Sequence, residues 1–175
     1  MIKDTVFTNG QTEISVDGEV LDIVSNVNNG IADIYGVFSS VNINILRNLN
    51  ITSTATFTKA EFVNTNEAVP HIPPFYGRSS LNYTTGKMKL SFYVKYNGLK
   101  KLSESSNLTD NIDEGIINVG TPSWYTLNLS AFVFPIKNMR IQIGVENITD
   151  VHYKTFASGI SSPGRNIMVS LYFTY

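Results

Sequence analysis

Apolar and polar residues take turns along most of this chain, at the two-residue period of a β-strand rather than the 3.6-residue period of a helix. The final stretch, Asn166 to Tyr175, shows it most fully. Ile167, Val169, Leu171, Phe173 and Tyr175 fall on one face, with Asn166, Ser170 and Thr174 on the other. Earlier segments repeat the pattern. Ile31 to Asn44 carries Tyr35, Val37, Val41 and Ile43 on one face. In Leu49 to Phe62, Leu49, Ile51, Ala55 and Phe57 alternate with Asn50, Thr52, Thr54, Thr56 and Thr58. Tyr76 to Thr84 and Lys87 to Tyr96 flank a tight turn at Thr85-Gly86. Ser123 to Phe134 and Met139 to Ile148 complete the set, and Glu19 to Asn28 is a weaker first strand. The spacing thus predicts about eight strands.

The connections between them are unequal in a regular way. Tight turns at 45–48, 85–86 and 135–138 alternate with long loops at 63–75, 97–122 and 149–165. A soluble sandwich has no reason to place its long loops at every second connection. An up-and-down outer-membrane barrel does, with short periplasmic turns and long extracellular loops. The predicted fold is therefore all-β, an antiparallel transmembrane barrel segment, with a soluble all-β sandwich as the rival. The apolar row that runs to the last residue fits lipid better than water, because chain ends in water usually fray.

Composition supports two-faced strands. Charged residues are 15 % of the chain, against about 25 % in ordinary soluble domains. Asn, Ser and Thr supply the polarity, at roughly 30 % of all positions. Net charge is −1, and only Lys100-Lys101 clusters, so nothing points to nucleic acid. No cysteine is present, which excludes disulfides and thiolate metal sites. No apolar run reaches the ~20 residues of a membrane helix. The segment Met1 to Val6 lacks the features of a signal peptide, so the export signal is expected to lie outside this chain.

Candidate chemistry is thin. Asp150, His152 and Ser158, Ser161 or Ser162 supply the residue types of a hydrolytic triad in one loop, but polar loop residues are the simpler account. Asp110, Asp113 and Glu114 precede Gly115, yet Ile112 breaks the calcium-loop pattern. Asn50, Asn82, Asn107, Asn128 and Asn147 head formal glycosylation triplets, expected by chance in such a composition. We expect no enzyme, no cofactor and no metal site. Lys87, Lys89 and Lys95 share one polar face, and Arg140, Gln142 and Glu146 another. In a membrane barrel these six face the lumen, because Arg or Lys on the lipid face costs about 2–4 kcal/mol at midplane. Tyr96, Trp124, Tyr125 and Tyr175 lie near strand ends, where interfacial aromatics belong.

Gly144, Asn147, Ile148, Asp150 and Tyr153 fill the pattern G-x-x-N-[IL]-x-[DN]-x-x-Y. Ser161-Ser162-Pro163-Gly164-Arg165-Asn166 follows as an x-x-P-G-R-x entry into the last strand. Ile34-Tyr35-Gly36-Val37 and Val69 to Pro74 are two further matches, although Phe38 stands where an acidic residue is usual. These motifs resemble the C-terminal part of TonB-dependent outer-membrane receptors. The resemblance implies a 22-stranded barrel with a separate N-terminal plug domain, energised by TonB and importing iron–siderophore complexes, cobalamin or similar cargo. It implies residence in the outer membrane of a Gram-negative bacterium, with lipid, the barrel-assembly machinery, the plug and, through the plug, TonB as partners. Residues 1–175 would then be the C-terminal barrel part without its plug, not competent for transport alone. Ile167, Val169, Leu171, Phe173 and Tyr175 would be the outer-membrane assembly signal. The alternative is a complete small eight-stranded barrel with a structural or adhesive role. As an isolated piece, the chain is expected to aggregate, oligomerise or close on itself with low stability, because lipid cannot satisfy sheet edges.

Overall fold

The computed structural model describes residues 2–4, 13–16, 19–22, 24–26, 31–105 and 120–175, those before 31 by their backbone alone. Four short strands come first. β1 (Ile2–Asp4) pairs with β4 (Val24–Asn26), and β2 (Glu13–Val16) with β3 (Glu19–Asp22). Seven longer strands follow: β5 (Ala32–Leu46), β6 (Leu49–Phe62), β7 (Tyr76–Thr84), β8 (Met88–Asn97), β9 (Trp124–Val133), β10 (Met139–Glu146) and β11 (Asn166–Phe173). They form one antiparallel sheet in the order β11-β10-β9-β8-β7-β6-β5, so each strand lies beside its neighbour in sequence. This is the up-and-down, all-β arrangement that the alternation predicts.

The differences are local. The weak strand expected over Glu19 to Asn28 divides into β3 and β4, which pair with β2 and β1 outside the sheet. Its sequence has Val20, Leu21, Ile23 and Val24 but no sustained alternation, so the large sheet has seven strands rather than eight. β5 runs on to Leu46, with an irregularity between Asn44 and Leu46 that leaves Arg47 and Asn48 as the turn. The loop after β8 is bridged at Lys100 and Thr121 and contains a 3-10 turn at Leu102–Glu104. Asp110, Asp113, Glu114 and Asn107 lie outside the described residues.

Register aligns the two kinds of residue across the whole sheet, because residues directly opposite share a face. One row reads Ile43, Ile51, Leu81, Phe92, Leu129 and Val145, then Ile167. The row beside it on the other face holds Asn42, Thr52, Ser80, Tyr93 and Asn128. Burial on these faces is the reverse of that in a water-soluble sheet. On central strand β9, Asn128 and Thr126 are each 1 % exposed. Leu129, next to Asn128 and flanked by strands on both sides, is 40 % exposed, as are Phe92 and Ile143 to a similar degree. Among described residues the buried apolar side chains are Ala60, Tyr93 and, in a loop, Pro74, so the described sheet has no oily core between layers. A sheet whose apolar face is its open face gains stability only where that face meets apolar solvent.

The apolar face has limits. β5 and β6 have 15 and 14 residues, more than the ~9–11 that a tilted spanning strand needs. Their surplus carries Asp33 opposite Glu61 and Tyr35 opposite Lys59, with Lys59 Nζ 2.7 Å from Glu61 Oε1. Charges return to the apolar face only there, beyond Val37 and Phe57. Within the band Ser53 and Ser79 pair their hydroxyls across β6 and β7 at 2.8 Å. Tyr96 crosses Gly77 to donate its hydroxyl to the Thr54 carbonyl at 3.2 Å, and a Cβ at Gly77 would sit 2.6 Å from that hydroxyl.

Candidate functional site

Two regions hold the polar residues that could carry function: the polar wall of the sheet, and the junction of loops above β8, β9 and β10. On the wall, Lys89, Lys95, Arg140, Gln142 and Glu146 occupy positions of one face by register. Lys87 does not lie on a strand. It precedes β8, where its carbonyl accepts the Phe134 N–H at 2.8 Å and closes the sheet's short-turn end. The structure brings Lys95 and Glu146 together, at 3.4 Å, from strands separated by β9. Tyr93 donates its hydroxyl to the same Glu146 Oε1 at 3.0 Å. Arg140 and Gln142 stand at the opposite end of β10 and β11, where Arg140 lies 4.1 Å from the Tyr172 ring centroid.

Alternation also places Arg78 and Tyr93 on this wall, beyond the six candidates. Arg78 is directly opposite Lys95. Like charges so placed repel, and each is drawn elsewhere. The Arg78 guanidinium stacks 4.0 Å over Tyr93, and Lys95 turns to Glu146. Thr126 and Asn128, the most buried side chains, lie directly opposite Lys95 and Tyr93 on this wall. Farther along, Asn50 donates to Asn42 at 3.0 Å, and Ser91 donates to Asn82 at 2.7 Å. Asn50 and Asn82 head glycosylation triplets in the sequence, and here they join a neutral ladder along the wall.

The loop junction is organised by one asparagine. The buried Asn128 Oδ1 accepts the Asn147 N–H at 2.9 Å. Asn147 adopts φ 51°, the left-handed region that asparagine tolerates better than most residues. Its side chain then closes a ring with Val151, accepting the Val151 N–H at 2.9 Å and donating to the Val151 carbonyl at 2.8 Å. Asp150, also left-handed at φ 57°, accepts the Arg165 N–H at 2.6 Å. Arg165 Nε donates to the Ile148 carbonyl at 2.9 Å. A Cβ at Gly164 would lie 2.6 Å from Asp150 Oδ1, so this position needs glycine for close approach. The N-x-x-D and P-G-R motifs are thus two halves of one clasp that fixes how the chain enters β11.

This clasp takes Asp150 out of any triad. Ser161 Oγ and His152 Nε2 are 3.0 Å apart, but Asp150 is committed to the Arg165 backbone and both partners are exposed. Among the described residues no group of three His, Cys, Asp or Glu could hold a metal ion. Lys100, missed by sequence reasoning, is buried. Its ammonium donates to the Ile72 carbonyl and lies 4.4 Å from the Phe156 ring, tying three loops together. Trp124 stacks on Tyr153 at 4.2 Å in the same region. Tyr96 and Tyr125 are opposite each other at one end of the apolar face, and Tyr175 lies beyond the end of β11. Ile167, Val169, Leu171 and Phe173 are exposed and share the apolar face with Val145, Ile143, Ile141 and Met139.

Comparison with known proteins agrees with this geometry. A family model described as "TonB dependent receptor-like, beta-barrel" matches residues 2–148. No curated protein sequence matches the chain. Among solved structures, the copper transporter OprC is similar with a TM-score of 0.73 and 15 % identity, over 94 % of this chain and 27 % of that one. The ferric enterobactin receptor PfeA from Pseudomonas aeruginosa is similar with a TM-score of 0.63 and 18 % identity, over 81 % and 22 %. The ferric yersiniabactin uptake receptor FyuA from Yersinia pestis gives 0.53 and 20 %, over 79 % and 22 %. The chain spans about a quarter of the length of these proteins.

Proposed function

The chain belongs to the TonB-dependent receptor family through its β-barrel, and from that premise we propose that it forms a sector of an outer-membrane barrel wall. The apolar face meets lipid, and the polar wall faces the lumen. Lys89, Lys95, Arg140, Gln142 and Glu146 line the lumen, with Lys87 at its periplasmic rim. The long loops lie outside the cell and the short turns in the periplasm. The observation that carries this reading is the reversed burial on β9, with Asn128 closed off and Leu129 open. Both terminal strands of the sheet, β5 and β11, are exposed on both faces, as a sector flanked by further strands would be.

The function of the assembled receptor is then import of a nutrient such as an iron–siderophore complex or cobalamin, or of a metal ion. A seven-strand sector encloses no lumen by itself, so this chain alone does not transport. Ile167, Val169, Leu171, Phe173 and Tyr175 serve as the assembly signal that the barrel-assembly machinery reads. Dilution from urea into zwitterionic micelles, against dilution into buffer alone, tests the wall reading by far-ultraviolet circular dichroism. We expect β structure in micelles and aggregation in buffer. Stable β structure as a soluble monomer without detergent would refute it.

A further inference from the structure

We infer that a tyrosine laid across a glycine, with a pair of serines beside it, sets the register of the β5–β6 hairpin against the rest of the sheet. This role belongs to the sheet itself and goes beyond its reading as a barrel wall. Tight turns fix how β5 meets β6 and how β7 meets β8. β6 and β7 are joined by a long loop instead. That loop returns along β6 as far as Val69, whose N–H donates to the Ala60 carbonyl at 3.2 Å. Pro70 to Phe75 then lead to β7, enough chain to absorb a small shift along the strands. A slip of one residue would exchange the faces, and a slip of two preserves them. Thr52, Thr54, Thr56 and Thr58 recur at every second position of the polar face, so the longer slip sets threonine in place of threonine. The backbone ladder repeats at the same interval. The polar side-chain ladder does not choose either, because Asn50–Asn42 and Ser91–Asn82 each lie within one hairpin.

The apolar face makes the choice. Ala55 lies opposite Gly77, and Gly77 opposite Tyr96. The Tyr96 ring crosses Gly77, stacked on Phe75 at 5.8 Å, and its hydroxyl reaches the Thr54 carbonyl on β6 at 3.2 Å. A Cβ at Gly77 would stand 2.6 Å from that hydroxyl and 2.7 Å from Cζ, so the ring lies there only over glycine. Beside it, the Ser53 and Ser79 hydroxyls meet at 2.8 Å, the one side-chain to side-chain hydrogen bond across the β6–β7 seam among the described residues. Sliding the hairpin by two residues one way would bring Phe57 opposite Gly77, into the space of the Tyr96 ring, and Ala55 opposite Ser79. Sliding it the other way would bring Ser53 opposite Gly77 and Ile51 opposite Ser79. Either slip parts the two serines and loses their shared hydrogen bond on an apolar face. The tyrosine hydrogen bond by itself is blind to slip, since a carbonyl recurs at every second position. What Tyr96 contributes is the bulk of its ring. Tyr96 therefore guards one direction, and the serine pair guards both.

Paired cysteines read the register, since the chain has none of its own. Two cysteines directly opposite each other can oxidise to a disulfide, whereas a diagonal pair, about 7–8 Å apart, cannot. Thr52→Cys with Ser80→Cys marks the observed register. Thr54→Cys with Ser80→Cys marks the slip that brings in Phe57, and Asn50→Cys with Ser80→Cys marks the reverse slip. All three pairs lie on the polar face, away from Tyr96 and the serines. In the whole chain, folded in zwitterionic micelles, we expect the first pair to oxidise fast and the other two slowly. Tyr96→Ala should speed the Thr54 pair alone, by about fivefold, and Ser79→Ala should speed the Asn50 pair alone by a similar factor. Tyr96→Phe keeps the ring and should leave all three rates as they are. Where Tyr96→Ala loses β structure by circular dichroism, Tyr96→Leu is read in its place. Unchanged rates in both loosened variants, a rise in both slipped pairs from either one, or a Tyr96→Phe chain that behaves like Tyr96→Ala would overturn the assignment. So would β structure in which the Thr52 pair fails to oxidise.

Discussion

Asn128 shows how one side chain can serve both the wall and the loops. Its Nδ2 donates to the Tyr93 carbonyl at 3.2 Å and to the Thr126 carbonyl at 3.0 Å. Its Oδ1 holds the Asn147 N–H, and with it the clasp at the entry to β11. Replacing it by alanine leaves a buried N–H without an acceptor, a loss of about 1–3 kcal/mol. Asn128→Ala should therefore lower the urea midpoint of the micelle-folded chain, and Asn82→Ala, on a half-buried part of the ladder, should lower it less. Equal midpoints for the two variants would contradict the role given to Asn128. Nothing in the local sequence singles this residue out. Asn-Leu-Ser looks like a chance glycosylation triplet, and its partner Asn147 is nineteen positions away. The clasp residues Asn147, Asp150, Gly164 and Arg165 stand out as a motif, but their hydrogen bonds do not, because those depend on how two loop segments meet.

At the scale of the element, alternation carries nearly all the information. A two-residue period names the face of every residue on β6 to β11, and a shift of one residue would exchange the faces entirely. That is why the lysines and the Arg140, Gln142 and Glu146 set fall together once the register is known. What alternation cannot give is the end of a strand. Lys87 and Tyr175 keep the right parity but lie outside β8 and β11, because turn geometry and not periodicity ends the pairing. Nor can it distinguish a marginal strand from a short hairpin arm, as at Glu19 to Asn28. The faces have a direct energetic test. Leu129→Arg puts a guanidinium on the lipid side and should cost about 2–4 kcal/mol at midplane. Ser130→Arg, one position on, faces the polar wall and should cost far less. Folding titrations in phosphatidylcholine vesicles would measure both, and equal costs would contradict the assignment of faces.

For the whole molecule, the unequal connections and the reversed burial describe the same asymmetry along two axes. Across the sheet, one face is oily and open while the other is polar and closed. Along the strands, the long loops, the clasp and the described carboxylates of residues 31–175 lie at one end, with the tight turns and Arg47, Lys87, Lys89, Lys137 and Arg140 at the other. The first axis is legible in the sequence, and so is the unequal length of the connections. The charge axis is not, since near-neutral net charge hides it until the strands are laid side by side. The central claim is that the odd-numbered face of β9 meets lipid. The chain has no cysteine, so single cysteines can be introduced from Thr126 to Val133 and labelled with an environment-sensitive fluorophore. Quenching by brominated lipid in reconstituted vesicles should be strong at Leu127, Leu129, Ala131 and Val133 and weak at Asn128, Ser130 and Phe132. Quenching in the opposite phase, or with no alternation, would contradict the account.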